Sequence, residues 1–277
     1  MTEILAKGQI WPLEGPIWLV GCGNMAGAML RRWLDCGLDP HEVTVIRQSG
    51  APVADGVTVL TAPPPDGPVP ALVMLGVKPQ LLDLVAPDLA PMLGAETLLV
   101  SILAGVDLRA LRRRFATPHE ILRAMPNTPV ALGQGVIALA TDNAEQAGRD
   151  RAEALMAPLG LVEWVDESLF DVVTALAGSG PAFLFRFIDA LAEAGADAGL
   201  SADQAARLAL ATVGGSAALA SAADESPRAL ADRVASPGGS TRRGLDVLDE
   251  PEGLAPLLRN TLTAAILRNR EMAEAAR

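Results

Sequence analysis

Pro16-Ile17-Trp18-Leu19-Val20-Gly21-Cys22-Gly23-Asn24-Met25-Ala26-Gly27 is the stretch on which the fold turns. Its first half is a short apolar run of strand type. The glycine pattern Gly21-x-Gly23-x-x-Ala26 follows at once and passes into an amphipathic helix. The first glycine permits a tight turn, the second lets a pyrophosphate reach the backbone, and a small third residue lets helix pack on strand. The pattern alone is weak. Its place after a strand and before a helix gives it weight, against the alternative of a structural βα turn in another doubly wound protein.

Outward from that turn, strand-type runs recur at Val43–Ile46, Val57–Leu60, Ala71–Gly76, Leu98–Ile102 and Ile121–Met125. Gly135–Leu139 and Leu161–Val165 are further candidates with a helix between them. The proline-rich segment Pro63–Pro70 cannot be helix and must loop. Strands alternating with helices predict an α/β fold whose sheet is parallel and doubly wound, of Rossmann type.

From about Ser168 onward the pattern becomes helical throughout. Gly178-Ser179-Gly180-Pro181 sets a helix start, with Pro181 suited to the first helical position. Phe183, Phe187, Leu191 and Ala194 then share one face. Gly199 reads as a C-cap, and Ser201 with Gln204 as a capping box. Gly214-Gly215, inside the next helix, costs about 1 kcal/mol per residue against alanine and predicts close helix–helix approach. A last helix runs from about Gly253 to Ala273. Residues 1–166 are therefore expected to form an NADP-binding domain. Residues 167–277 are expected to form an all-helical domain for substrate binding and dimerisation, with some faces buried between subunits.

At 277 residues the chain can bury a substantial core in two domains. Its net charge of −11, from 22 basic and 33 acidic residues, argues against nucleic acid or an anionic membrane as partner. No run is read as a membrane span. The longest candidate, Leu208–Ala223, is mostly Ala, Gly and Ser between Arg207 and Asp224. The amino terminus lacks the pattern of a signal peptide. Cys22 and Cys36 give neither a disulfide framework nor a metal spacing, which suits a cytoplasmic location. The only histidines, His41 and His119, each follow a proline in expected loops, which argues against a buried catalytic histidine and against His-ligated metal. No metal is expected.

The second strand normally ends on the residue that selects the cofactor: acidic for the ribose hydroxyls of NAD, basic for the 2′-phosphate of NADP. Here it ends in Arg47-Gln48-Ser49, which favours NADP, against an ordinary exposed arginine. Three further segments sit at carboxyl ends of strands, where such folds bind ligands: Gly76-Val77-Lys78-Pro79-Gln80, Ser101-Ile102-Leu103-Ala104-Gly105 and Arg123-Ala124-Met125-Pro126-Asn127-Thr128-Pro129. In the helical half, Ser236-Pro237-Gly238-Gly239-Ser240-Thr241 opens onto a helix expected over Arg242–Leu248. Successive N–H groups at a helix start form an anion site that glycines leave accessible. An ordinary turn with an N-cap serine is the alternative.

Taken together these motifs make the chain resemble the pyrroline-5-carboxylate reductases, which complete proline synthesis. The resemblance covers nearly the whole chain. It rests on Gly21–Ala26, Val77–Gln80, Met125–Pro129, Ala175–Ala182 and Ser236–Thr241, in order and at compatible spacing. It implies a Rossmann domain, a helical domain that dimerises by exchange of helices, and often a decamer of dimers. Gly21, Gly23, Asn24, Met25, Ala26, Arg47 and Asn127 fall among the implied cofactor contacts. Gly76, Val77, Lys78 and Pro79 with Ile102, Leu103, Ala104 and Gly105 would flank the nicotinamide. Ser236, Gly238, Gly239, Ser240 and Thr241 would bind the substrate carboxylate, Thr241 facing the imine nitrogen as the catalytic hydroxyl. Asp224 occupies a place where relatives often carry Glu, near a neighbouring subunit's site. Two departures stand out: Ala177 replaces a hydroxyl residue, and the Pro63–Pro70 loop replaces a helical segment that usually carries an Asn on the adenosine side.

The implied reaction is NADPH-dependent reduction of L-1-pyrroline-5-carboxylate to L-proline, with NADH as a second donor. A protonated C=N bond is already electrophilic, so correct placement of the hydride donor leaves little need for a strong protein acid. A β-hydroxyacid dehydrogenase, the rival enzyme, would need a lysine in the first long helix of the helical half, and Phe183–Leu200 contains none. The rival of another class is a noncatalytic NADP-binding sensor or scaffold.

Overall fold

The computed structural model describes Leu13 and residues 15–143 and 145–275. The amino-terminal segment 1–12, read above for a targeting signal, lies outside the described residues. The chain divides into two compact units. One comprises Met1–Gly178 with Ile266–Arg277, the other Ser179–Ala265.

The first unit is built on one eight-stranded sheet. Its strands are β1 (Ile17–Val20), β2 (Val43–Ile46), β3 (Thr58–Leu60), β4 (Leu72–Leu75), β5 (Leu98–Ser101), β6 (Glu120–Pro126), β7 (Gly135–Thr141) and β8 (Gly160–Trp164). They lie in the order β3-β2-β1-β4-β5-β6-β7-β8. The first six reproduce the doubly wound dinucleotide-binding order, which reverses between β1 and β4. Every residue of β1, β4 and β5 is buried, as expected of central parallel strands covered on both faces. Alternation splits them between two cores: Ile17, Leu19 and Met74 pack on one face with Met29, Leu30 and Trp33. Trp18, Val20 and Leu75 pack on the other with Leu89, Phe115 and Phe170.

The sheet is parallel with one exception that corrects the sequence reading. β7 runs antiparallel to β6, pairing Leu122 with Thr141 and Pro126 with Ile137. The link between them is a single 3₁₀ turn, Thr128–Leu132, closed by Gly133 at φ +67°. A parallel return needs a crossover of a dozen or more residues, which this link lacks. β8 then returns parallel to β7 by way of a helix.

The helices of this unit are α1 (Asn24–Asp35), α2 (Leu82–Leu89), α3 (Leu108–Arg114), α4 (Gln146–Met156) and α5 (Phe170–Val173). α6 (Gly180–Asp197), α7 (Ala202–Ala222), α8 (Pro227–Val234) and α9 (Ser240–Leu248) follow in the second unit, and α10 (Leu254–Ala275) begins there and ends in the first. The helix start expected at Gly178–Pro181 is present: α6 begins at Gly180 with Ser179 as N-cap and Pro181 in its first turn, close behind a preceding helical stretch. The chain is already helical from Phe170, widens into a π turn over Thr174–Gly178, and re-forms as α6. In the first turn of α6 the missing N–H of Pro181 breaks no bond of that helix. Downstream, Gly199 takes φ +111° after α6, and Ser201 with Gln204 forms the full capping box of α7.

Candidate functional site

The glycine loop and the β4 loop meet backbone to backbone at the point where strand order reverses. Gly21 adopts φ +85°, and a Cβ there would lie 2.7 Å from the Val77 nitrogen and 2.8 Å from the Gly76 carbonyl carbon. Gly76 in turn faces the Gly21 carbonyl oxygen at 2.9 Å and the Ala26 Cβ at 3.0 Å, measured from its own ideal Cβ. Gly23 differs, because a Cβ there would meet nothing within 4 Å among the described residues. It is the N-cap of α1, and the first helix bond runs from the Gly27 N–H to the Gly23 carbonyl at 2.8 Å. The N–H groups of Asn24, Met25 and Ala26 therefore lie outside the helix ladder, with no acidic side chain in the first turn. This is an open cradle of amides at the positive end of a helix, suited to a pyrophosphate.

Arg47, half-buried at the end of β2, donates its N–H to the Leu60 carbonyl at 2.9 Å. Its charge reaches the Cys22 thiol inside the glycine loop, as does that of Arg31. Burial, the larger effect, still pushes that thiol up from its ordinary value. Arg31 stands with Nη1 3.3 Å from the position of a Cβ on Gly27. The sequence reading missed it; the signal was its spacing, one helical turn after Gly27.

The remaining cofactor candidates divide. Lys78 is exposed and precedes a 3₁₀ turn opened by Pro79, while Val77 packs partly on the core beneath. Ile102 is half-buried and Ala104 exposed. Leu103 is 3% exposed and belongs to the hydrophobic core, and Gly105, at φ +76°, lies under Ala273 of α10. Asn127 is buried, and its amide is engaged by the protein itself. Its Nδ2 donates to the Ala177 carbonyl at 3.0 Å, and its Oδ1 accepts from the Val136 N–H at 2.8 Å. A concavity of about 870 Å³ lined by Arg109, Arg112, Trp164 and their neighbours shares no residue with these loops.

In the second unit, Ser236–Gly239 forms a turn with Gly238 at φ +72° and the Gly239 N–H donating to the Ser236 carbonyl at 3.0 Å. Gly239 is the N-cap, so α9 begins at Ser240, two residues before the position expected from sequence. The first helix bond is made by the Arg243 N–H, leaving those of Ser240, Thr241 and Arg242 outside the ladder. Gly238 meets nothing within 4 Å, and Ser236, Ser240 and Thr241 are exposed. Arg242, another residue the sequence reading passed over, reaches back to Asp232 of α8 (Nη2 to Oδ1, 2.6 Å), and that carboxylate raises its pKa above the ordinary guanidinium value. Asp224 is exposed just beyond the end of α7.

The two halves of the chain match two family models. Residues 16–105 match one described as NADP oxidoreductase coenzyme F420-dependent, and residues 167–272 match pyrroline-5-carboxylate reductase dimerisation. A pyrroline-5-carboxylate reductase of Glycine max is 37% identical over 95% of this chain and 99% of its own length. This chain belongs to the pyrroline-5-carboxylate reductase family. The structure of a pyrroline-5-carboxylate reductase from Coxiella burnetii superposes with a TM-score of 0.83 at 32% identity, covering 93% of this chain and 98% of that one. The Plasmodium falciparum pyrroline carboxylate reductase, solved with NADP bound, has the same fold: TM-score 0.81 at 24% identity, over 94% of this chain and 98% of that one.

The dimerisation match falls on a helical region that buries little within one chain of this reductase family. No residue of α6, α8 or α9 is buried, and α7 buries only Ala205 and Ala209. The stripe expected on one face of this helix is largely open, with Phe187 45% and Leu191 40% exposed, beside Phe185 at 63%. A Cβ on Gly214 or Gly215 would meet nothing within 4 Å among the described residues, so the close approach expected there is not made among them. The expectation that no run resembles a membrane span also needs correction. By length and composition, both Glu167–Asp197 and Ala202–Ala222 are long and apolar enough to cross one. The first of these takes in α5, the π turn and α6 together.

Proposed function

We propose that this chain reduces L-1-pyrroline-5-carboxylate to L-proline at the expense of NADPH. The observation that carries the reading is kinship with a named reductase along nearly the whole of both chains. The geometry fits the dinucleotide on independent grounds. The cradle at Gly23 is one a Cβ would fill, and Arg47 and Arg31 bring positive charge to it. When bound, the nicotinamide supplies the hydride that the C=N carbon receives.

The chain's own residues do the rest by placement. The N–H groups of Asn24, Met25 and Ala26 hold the pyrophosphate, and Arg47 takes the 2′-phosphate. Ile102 and Ala104, with the Gly76–Pro79 loop, wall the nicotinamide. The exposed turn Ser236–Gly239 and the free amides at the start of α9 receive the substrate carboxylate. The Thr241 hydroxyl hydrogen-bonds the imine nitrogen without adding a repelling charge. The paucity of histidine costs this scheme nothing, since the iminium form of the substrate is activated already.

The same reading makes the active species a homodimer and, as in the wider family, a decamer of dimers, soluble in the cytoplasm and binding neither nucleic acid nor membrane. A second copy covers the apolar faces of α6 and α7, which accounts for helices that are span-like in composition yet exposed in one chain. Asp224 then lies near the partner's site. Residues 1–166 serve as the NADP-binding domain and 167–277 as the substrate and dimerisation domain. Loss of NADPH absorbance at 340 nm on adding pyrroline-5-carboxylate, with proline formed mole for mole, is the expected result; NADPH left unoxidised by the purified oligomer refutes the reading. Light scattering should find no stable monomer at micromolar concentration, and an active monomer would refute the assembly.

A further inference from the structure

An α-helix gives each carbonyl to the N–H four residues on. For Ala177 the residue four on is Pro181, which has none, and the residue five on, which a π turn would use, is Ala182, whose N–H goes to the Ser179 carbonyl at 3.0 Å. The orphaned carbonyl sits at the π turn Thr174–Gly178, and the Asn127 Nδ2 donates to it at 3.0 Å from the end of β6. The other end of the same amide is fixed independently, because the Val136 N–H of β7 donates to Oδ1 at 2.8 Å. Asn127 is only 6% exposed, so a loose amide here would be a buried polar group without partners. A second contact lies at the same junction: a Cβ on Gly178 would stand 2.8 Å from the Met125 Cε, the mobile end of a side chain from β6.

We infer that Asn127 is a positioning residue for the reduction: its amide stands in for the helix N–H that Pro181 lacks, and so pins the π turn to the cofactor edge of the sheet. The sequence places Asn127 among the cofactor contacts by resemblance; the geometry gives its side chain a different task. Met125 and Asn127 close β6 at the edge of the sheet where the loops after β1, β4 and β5 also emerge. Slippage of the π turn therefore moves the wall of the reacting site, while the phosphate cradle at Gly23 and the charge of Arg47, on other strands, keep their hold on the dinucleotide. The readout in catalysis rests on the function proposed above.

The test is a cycle between Asn127 and Pro181. Pro181→Ala restores an N–H to the Ala177 carbonyl and makes the amide of Asn127 redundant there. Asn127→Asp keeps the acceptor for Val136 but exchanges the donor for an oxygen that repels the Ala177 carbonyl and brings a charge into a buried site, so the uncharged Asn127→Ala carries the cycle. In the otherwise native oligomer, Asn127→Asp and Asn127→Ala should each lower kcat about tenfold, as loss of alignment does, with the Kd for NADPH unchanged within about twofold. Compared with Pro181→Ala alone, adding Asn127→Ala should cost clearly less than the same change costs the native chain. Equal losses in both backgrounds would overturn the inference, as would a Kd for NADPH that rises in step with the fall in kcat, which makes Asn127 a cofactor contact. A lowered denaturation midpoint with unaltered kcat makes the residue structural only, and also overturns it. Should the native oligomer prove inactive on pyrroline-5-carboxylate, the proposed function fails, and the same cycle read in urea midpoints still decides the Asn127–Pro181 coupling.

Discussion

Substituting alanine at Gly21 and at Gly23 should produce two different defects from chemically identical changes two residues apart. At Gly21 the added methyl group meets backbone, the Val77 nitrogen at 2.7 Å and the Gly76 carbonyl group at 2.8 Å, which cannot rotate away. The residue also holds φ +85°, where an L side chain costs about 1–2 kcal/mol. Overpacking adds roughly 1–3 kcal/mol, so Gly21→Ala should lose about 2–5 kcal/mol of stability. At Gly23 the backbone is extended, at φ −82° and ψ −163°, and no atom of the described residues lies within 4 Å. The folding cost there is roughly 0.5–1 kcal/mol, alanine being the poorer N-cap. Yet the methyl group occupies the space through which a pyrophosphate reaches the α1 amides. Loss of one charge-assisted bond, about 1.5–3 kcal/mol, raises the Kd for NADPH roughly 10- to 150-fold. Urea denaturation of each variant, with NADPH binding followed by fluorescence, separates the two. A Gly21→Ala protein as stable as the native one would refute the backbone-clash argument, and a Gly23→Ala protein that binds NADPH normally would move the phosphate elsewhere.

Arg47→Ala should raise the KM for NADPH about tenfold or more and leave that for NADH nearly unchanged, because only the former carries the 2′-phosphate; equal weakening of both would release Arg47 from that role. Thr241→Val should cost about 5- to 150-fold in kcat/KM, the range for one neutral hydrogen bond, with a pH profile still set by the substrate imine. An unaltered rate would remove Thr241 from the chemistry, and an altered profile would make it a general acid. The Cys22 thiol, pushed up by burial, stays neutral over a range where a free cysteine of pKa about 8.5 is part thiolate. Its alkylation at about pH 8 should therefore be slower than that of free cysteine and slower still with NADPH bound; rapid, NADPH-insensitive labelling, tracked by peptide mass, would place the cofactor away from the glycine loop.

The elements were legible because their causes are local. Ile17–Val20, Leu72–Leu75 and Leu98–Ser101 announce buried strands by unbroken apolar runs, and Gly21 and Gly23 mark the turn after the first by spacing alone. The capping box of Ser201 and Gln204 and the stop at Gly199 are equally short-range, and both form as read. Tertiary structure decided whatever depends on groups far apart in sequence. The short link after Asn127 turned β7 against β6, although each strand was visible beforehand. Leu103 sits among segments read as cofactor-facing, but the sheet assigned it to the core. Asn127 lies fifty positions from the Ala177 carbonyl it satisfies, a pairing that no local spacing announces. The stripe of Phe187 and Leu191 has core-like spacing, yet periodicity reports only that a face is apolar. Spacing along the chain fixes which residues share a face; only the path of the whole backbone settles what that face meets.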